Sequence, residues 1–319
     1  IIKVMNKKVF TLLEPDLYTN VYNWTFWDDR ALVRVEDKSY KSKIVEYKFN
    51  INEPALTNPK TILEHPYYSY EDPRLINKNN FTYVKYDKKK IQCFFMSNKG
   101  PLTKGHAWEK NWQHLDGDEF IYKIKPFIIR NKKNRERYNY QFDWKYGNVL
   151  HLSSEFKIKD RQFIIFHSYS MEGAWGNDVF DNGAFESADH TTKNEKLYYQ
   201  GVIELVDLKP KFYIPVPIFD PPPLDNPYKF EKNKNRCVYV MSTRVIDNHL
   251  HITAGINDCV CVLIKICAKE FIEWVDDQKL LVDEIKPVLS SNVLKDIVGT
   301  STTNTHSTIT SYNNLYRVD

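Results

Sequence analysis

The sequence predicts an all-β fold closed by one helix near its end. Three observations carry this: apolar and polar residues alternate with the period of a strand over most of the chain, polar turns separate the runs, and helical periodicity is absent until about Lys269. The runs are Lys8 to Leu13, Ala31 to Val35, Ser42 to Phe49, Phe81 to Tyr86, Ile91 to Ser97 and Phe120 to Ile124. They resume at Val149 to Leu152, Gln162 to Tyr169, Leu197 to Leu205, Cys237 to Thr243, His249 to Gly255 and Val260 to Ile266. So many short strands leave a sandwich, a barrel or a propeller as the candidate architectures.

A chain of 319 residues, 42% hydrophobic, can bury a substantial core without disulfide or metal. Aromatic residues make up 14%, which suits half-buried strands and equally suits platforms for sugar rings. Cys93, Cys237, Cys259, Cys261 and Cys267 form neither a regular framework nor a paired zinc spacing, so they read as reduced core or strand residues, and a cytoplasmic, reducing setting is expected. The net charge of +4 arises from 45 basic and 41 acidic residues, and runs such as Lys88-Lys89-Lys90 and Asn131 to Arg137 read as solvated hairpin tips. That near balance argues against nucleic acid as a partner. The longest apolar stretches, such as Val260 to Ile266, are far too short for a helical membrane span, and nothing marks a signal peptide. A start at Ile1 rather than Met is expected of a piece of a longer polypeptide.

Proline gathers between Pro210 and Pro227, including Pro221-Pro222-Pro223, a stretch unsuited to a central strand and therefore expected to be an extended crossover. From Ala268 to about Leu281, Phe271, Ile272, Trp274, Val275 and Leu280 fit one face of a packing helix, with Asp276 and Asp277 on the solvent side. Gly299 to Ser311 is rich in Ser, Thr and Asn and is expected to be a flexible linker before Tyr312 to Asp319. The expected organisation is one β domain over residues 1–268 and a helix with an extension over 269–319.

Five stretches, in order, are similar to a known group. Tyr22-Asn23 precedes a strand ending Ala31-Leu32-Val33-Arg34; Glu71-Asp72-Pro73-Arg74-Leu75 precedes "FTYVKYD" at Phe81 to Asp87; and Lys110-Asn111-Trp112 precedes Ile121-Tyr122 and Pro126. Then come "KIKDRQFIIFH" from Lys157 to His167, echoed by Tyr199 to Leu208, and "ITAGIND" from Ile252 to Asp258. Together they resemble the phosphorylases and hydrolases of glycoside hydrolase family 130 and the mannosyltransferase-phosphorylases of glycosyltransferase family 108, over roughly Tyr22 to Ala268. The resemblance implies a five-bladed β-propeller with a short C-terminal helix and extension, acting on mannoside-like carbohydrate with phosphate or a sugar phosphate as co-substrate and no cofactor or metal. Two departures stand near the expected anion pocket: "LSSEF" at Leu152 to Phe156 replaces a glycine- and proline-rich segment, and Ser168 follows His167 where glycine is expected.

Glycosyl transfer needs an acid to protonate the leaving oxygen and a nucleophile on the opposite face of the sugar. The resemblance assigns the acid to Asp87, sugar contacts to Asn23, Arg34, Asp72, Arg74 and Asp258, and phosphate to Lys110, Lys157 and His167. Several have a plainer reading. Asp87 opens a polar turn, Asp258 follows one, and the lysines are solvated. Asp72 and Arg74, two positions apart on a strand, share a face and can form an ion pair that holds the sheet. Glu155, two residues before Lys157, could instead activate water. The expected function is phosphorolysis or transfer at a mannoside-like bond; the alternative is a propeller without chemistry that binds glycan or protein as a module of a larger glycan-processing polypeptide.

Overall fold

The computed structural model describes residues 8–11, 20–36, 41–86, 91–97, 100–104, 113–115, 119–124, 127–130, 135–138, 140–171, 196–222, 236–258 and 260–284. Among them the chain is built from antiparallel sheets and a single helix. β1 (Lys8–Thr11) stands apart from the strands that follow it. The first sheet then runs β2 (Asn20–Trp27), β3 (Arg30–Glu36), β4 (Ser42–Phe49), β5 (Leu56–Leu63), and the second β6 (Ser69–Leu75), β7 (Phe81–Tyr86), β8 (Ile91–Ser97), β9 (Gly100–Lys104). The third is β10 (Gln113–His114), β11 (Phe120–Lys123), β12 (Phe127–Arg130), β13 (Arg135–Tyr138), followed by the short β14 (Tyr140–Gln141). The fourth holds β15 (Asn148–Ile158), β16 (Arg161–Met171), β17 (Lys196–Val206) and β18 (Lys209–Tyr213). The last comprises β19 (Val238–Ile246), β20 (His249–Ile256) and β21 (Val260–Cys267), and its fourth strand is β1, paired from Lys8 opposite Lys265 to Thr11 opposite Val262.

Apolar layers join each sheet to its neighbours. Trp24, Phe26 and Tyr47 of the first sheet pack with Leu263 of the last, and Leu32 and Ile44 pack with Phe81 and Tyr83 of the second. Phe120 of the third meets Ile76 just beyond β6, Ile121 and Phe127 pack with Phe166 of the fourth, and Phe163 packs with Ile252 and Val262 of the last. Burying side chains of this size is the dominant favourable term in such a fold. α1 (Ala268–Gln278) joins the same core through Phe271, Trp274 and Val275, with the Phe271 ring 5.3 Å from that of Phe163. β22 (Leu280–Leu281) then extends the fourth sheet beside β18, and β23 (Asp283–Glu284) pairs with β14. Residues 285–319, including the expected linker, lie outside the described residues.

One expectation is corrected. The proline-rich stretch is not all crossover: β18 pairs with β17, and Pro210 is accommodated opposite Leu205 at a register shift, where its missing donor is tolerated. Lys157 and His167 lie on the two strands of a hairpin turning at Lys159 and Asp160, with Lys157 opposite Gln162.

The first strands of the sheets gather against one another: β2 meets β6 and β19, β15 meets β19, and β10 meets β15. Matching positions on them are linked in step. Asn23 bonds Asp72, Thr25 Oγ1 donates to Ser242 Oγ at 3.1 Å, and the amide of Leu75 donates to Thr25 Oγ1 at 3.4 Å. With Arg74 of β6 bonded to the carbonyls of Ser153 on β15 and Met241 on β19, β2, β6, β15 and β19 run in the same sense and share a leading end, where they begin, and a trailing end.

Candidate functional site

Four of the first strands carry bulges, at Asn23, at Asp72-Pro73, at Leu150 and Ser153, and at Met241. A bulge takes a residue out of the ladder and re-aims it. Asn23 and Asp72 achieve this with left-handed backbones, φ 52° and 48°, a region that Asn and Asp tolerate better than most residues. Both side chains are buried at the leading end, where Asn23 Nδ2 donates to Asp72 Oδ1 at 2.8 Å.

Arg34 on β3, opposite Tyr22, completes the group. Its Nη2 donates to Glu71 Oε1 at 3.0 Å, its Nη1 lies 3.6 Å from Asp72 Oδ1, and its guanidinium stands 4.7 Å above the Tyr22 ring. Tyr22 in turn donates its hydroxyl to Glu36 Oε2 at 2.5 Å. Burial opposes the charge on Arg34, but Glu71, Tyr22, Asp72 and Asp258 together outweigh it and raise its pKa. Burial likewise raises the phenols of Tyr22, Tyr198 and Tyr239, and the negative charge of Asp258 adds to the effect on all three. Asp258, left-handed at φ 55° in the turn after β20, thus acts electrostatically on the same cluster as Arg34. Close by, Gly255 lets β20 approach Asn23 so nearly that a Cβ there would lie 2.5 Å from Asn23 Oδ1.

The structure therefore brings Asn23, Arg34, Asp72 and Asp258 together. His167 belongs to the same end: opposite His151 on β15, buried, with its ring 4.9 Å from that of Tyr239. Its Nδ1 lies 3.2 Å from Ser153 Oγ, which gives its one proton to Gln200 Oε1 at 2.9 Å.

Lys157 is not part of this group. It sits at the trailing end beside the β15–β16 turn, six positions and about 20 Å of strand from His151, the partner of His167. This corrects the expectation that Lys157 and His167 line one anion pocket: residues at opposite ends of a long hairpin cannot share a ligand of that size.

Arg74 also departs from the expected pairing with Asp72, because the bulge at Asp72-Pro73 breaks the alternation that would have put them on one face. Its buried Nη1 donates to the carbonyl of Ser153 and, at 2.8 Å, to that of Met241, pinning the bulges of the fourth and last sheets to the second. Asp87 and Lys110 lie outside the described residues. Glu36, Tyr22, Tyr198 and Tyr239 complete the cluster, though nothing in their spacing distinguishes them from core or surface strand residues.

Neither a family model nor a curated protein matches the chain in sequence. Solved structures do match. The mannose phosphorylase MPT-4 of Leishmania mexicana, in complex with a phosphate ion, is similar at 13% identity and TM-score 0.51, over 89% of this chain and 93% of that one. MPT-1, a GDP-Man-dependent mannosyltransferase of the same organism, is similar at 14% identity and TM-score 0.51, over 90% of this chain and 95% of that one. A structure from work on the GH130 family of mannoside phosphorylases aligns at 11% identity and TM-score 0.47, over 77% of this chain and 84% of that one. In fold, the chain resembles the two Leishmania proteins along nearly its whole length.

Proposed function

We propose that the five sheets are the blades of a β-propeller, and that the leading ends of their first strands form a glycan site at which a mannoside-like bond is broken or made. One observation carries the reading: Arg34, held by Glu71 and Asp72, lies beside Asn23, whose buried Oδ1 has no hydrogen-bond partner among the described residues and can accept from a sugar hydroxyl. Asp258 adds a further carboxylate able to accept from hydroxyls. Fixed donors and acceptors of this kind orient a sugar without reorganising when it binds. The fold shared with the Leishmania phosphorylase and mannosyltransferase supports a reaction of that class.

In this reading Asp87, next in sequence after the end of β7, is the general acid. It protonates the glycosidic oxygen while an oxygen of phosphate attacks the anomeric carbon, so that the glycosidic C–O bond breaks and a sugar 1-phosphate leaves; the reverse sequence transfers the sugar. Lys110 and His167 are the proposed phosphate contacts, and Arg74 is a positioning residue that sets the bulge at Ser153. Incubation with mannose-containing disaccharides should release sugar 1-phosphate only when inorganic phosphate is present, and Asp87→Asn should abolish this. The position of Lys157, away from the cluster, favours a second reading in which the site binds glycan without phosphorolysis. Glycan affinity in wild type and Asp87→Asn alike, with no turnover in either, would select it.

A further inference from the structure

We propose that the trailing ends of the first strands hold a second ligand site, on the far side of Arg74 from the proposed glycan site, which takes a small molecule bearing a carboxylate or phosphate group. This goes beyond the glycan reading and does not depend on it. A cavity of about 470 Å³ opens there, lined among others by Trp27, Arg74, Lys157, Thr243 and Arg244. Its size falls within the range of small-molecule sites, roughly 300–1,000 Å³.

The charge in its wall is unbalanced. Arg74 is 5% exposed, spends Nη1 on two backbone carbonyls, and leaves Nε and Nη2 without partners among the described residues; it forms no ion pair with any of them. Arg244 stacks over Trp27 with its guanidinium 3.5 Å from the ring centroid, and its buried Nε also lacks a partner among the described residues. It too forms no ion pair with a described residue. Burial lowers the pKa of Arg244, and the charge of Asp28 only partly offsets this. Thr243, buried in the same wall, has an Oγ1 with no partner among the described residues. Of the two carboxylates in the lining, Glu119 and Glu155, the latter accepts from Gln162 Nε2 at 2.8 Å.

A cation taken out of water without a counter-ion is costly, and an anion placed beside it recovers much of that cost. Guanidinium groups favour planar oxyanions, and stacking on an aromatic ring holds the fork in place for them. Carboxylate and phosphate present the same recognition chemistry, so both are tested.

Calorimetric titration of the full chain with inorganic phosphate, and separately with succinate, should show saturable binding in at least one arm, and the arm that binds identifies the source. Arg244→Gln should weaken it roughly tenfold or more, in keeping with the loss of a charged hydrogen bond. Thr243→Val, which removes only a hydroxyl, should weaken it by a smaller factor with no change in melting temperature. Asp258→Asn, at the leading end, should leave this binding unchanged. Absence of binding in both arms overturns the proposal. So does binding that survives Arg244→Gln and Thr243→Val, or phosphate binding lost only in leading-end variants, an outcome that would support the glycan-site reading instead.

Discussion

The contact between Gly255 and Asn23 gives a sharp test of how the leading end is assembled. In Gly255→Ala the new Cβ would stand 2.5 Å from Asn23 Oδ1 and 3.1 Å from its backbone nitrogen, whereas ordinary contact begins at 3.4 Å. The amide oxygen must therefore retreat by nearly 1 Å. Asn23 has little room to yield, because its left-handed backbone is set by the bulge and its Nδ2 is committed to Asp72. Overpacking of this kind costs about 1–3 kcal/mol, and loosening a hydrogen bond to a carboxylate adds about 1.5–3 kcal/mol if it is lost outright. A combined loss of about 2.5–6 kcal/mol corresponds to a fall in melting temperature of roughly 4–10 °C for a unit of this size. Thermal unfolding should be measured for Gly255→Ala, for Asn23→Gly, which suits the left-handed backbone, and for the double variant. A coupling of at least about 1 kcal/mol between the two positions is expected, since removing the Asn23 side chain removes the clash. An unchanged melting temperature in Gly255→Ala, or an equal loss in both backgrounds, would refute the packing described.

Arg74→Met should lower stability by about 1–4 kcal/mol in urea unfolding: two buried carbonyls lose their donor at about 1–3 kcal/mol each, partly offset by removing a buried charge. A neutral or stabilising result would contradict the pin. The Arg161 guanidinium holds the Asp276 carboxyl below its ordinary range, so this pair helps above about pH 4 and its help fades as the pH falls through the depressed folded value. Asp276→Asn should remove that part of the acid limb, by no more than about 1 kcal/mol because the carboxylate is exposed. Burial, aided by Lys265 and His249, lowers the His251 pKa to about 4. The unfolded chain therefore binds this proton first, and stability should decline as the pH drops from about 6.5 to 4. Urea midpoints of His251→Gln should show a flatter decline over that interval; an identical slope would rule out His251 as its source.

What could be read from the residues follows from how each element is buried. β4, β7 and β8 match their expected limits because polar turn residues bound each of them in the sequence. β5 escaped notice because it is mostly exposed and contains Pro59, and β6 because its bulge and Pro73 interrupt the period. The expected strand at Val149 to Leu152 was too short for the same reason: bulges at Leu150 and Ser153 disturb an 11-residue strand. The grouping of Asn23, Arg34, Asp72 and Asp258 came from ordered resemblance, since residues this distant in the chain leave no local sign of their meeting. Where strand geometry overrides a motif the grouping failed, as it did for Lys157, and the bond from Arg74 to backbone carbonyls has no signature in side-chain spacing.

The pairing of β1 with β21 bears on how the molecule is made. Lys8 leaves the ribosome some 250 residues before its partner Lys265 is translated. At 5–20 residues per second that is a wait of roughly 10–50 s, during which β1 has no native partner. Bringing such remote segments together carries a large loop-closure entropy, and until that happens β21 presents a row of unpaired backbone donors and acceptors. β1 is therefore a clasp that fastens only once β21 is made, and a nascent chain in which it stays unpaired would offer other chains an open sheet edge.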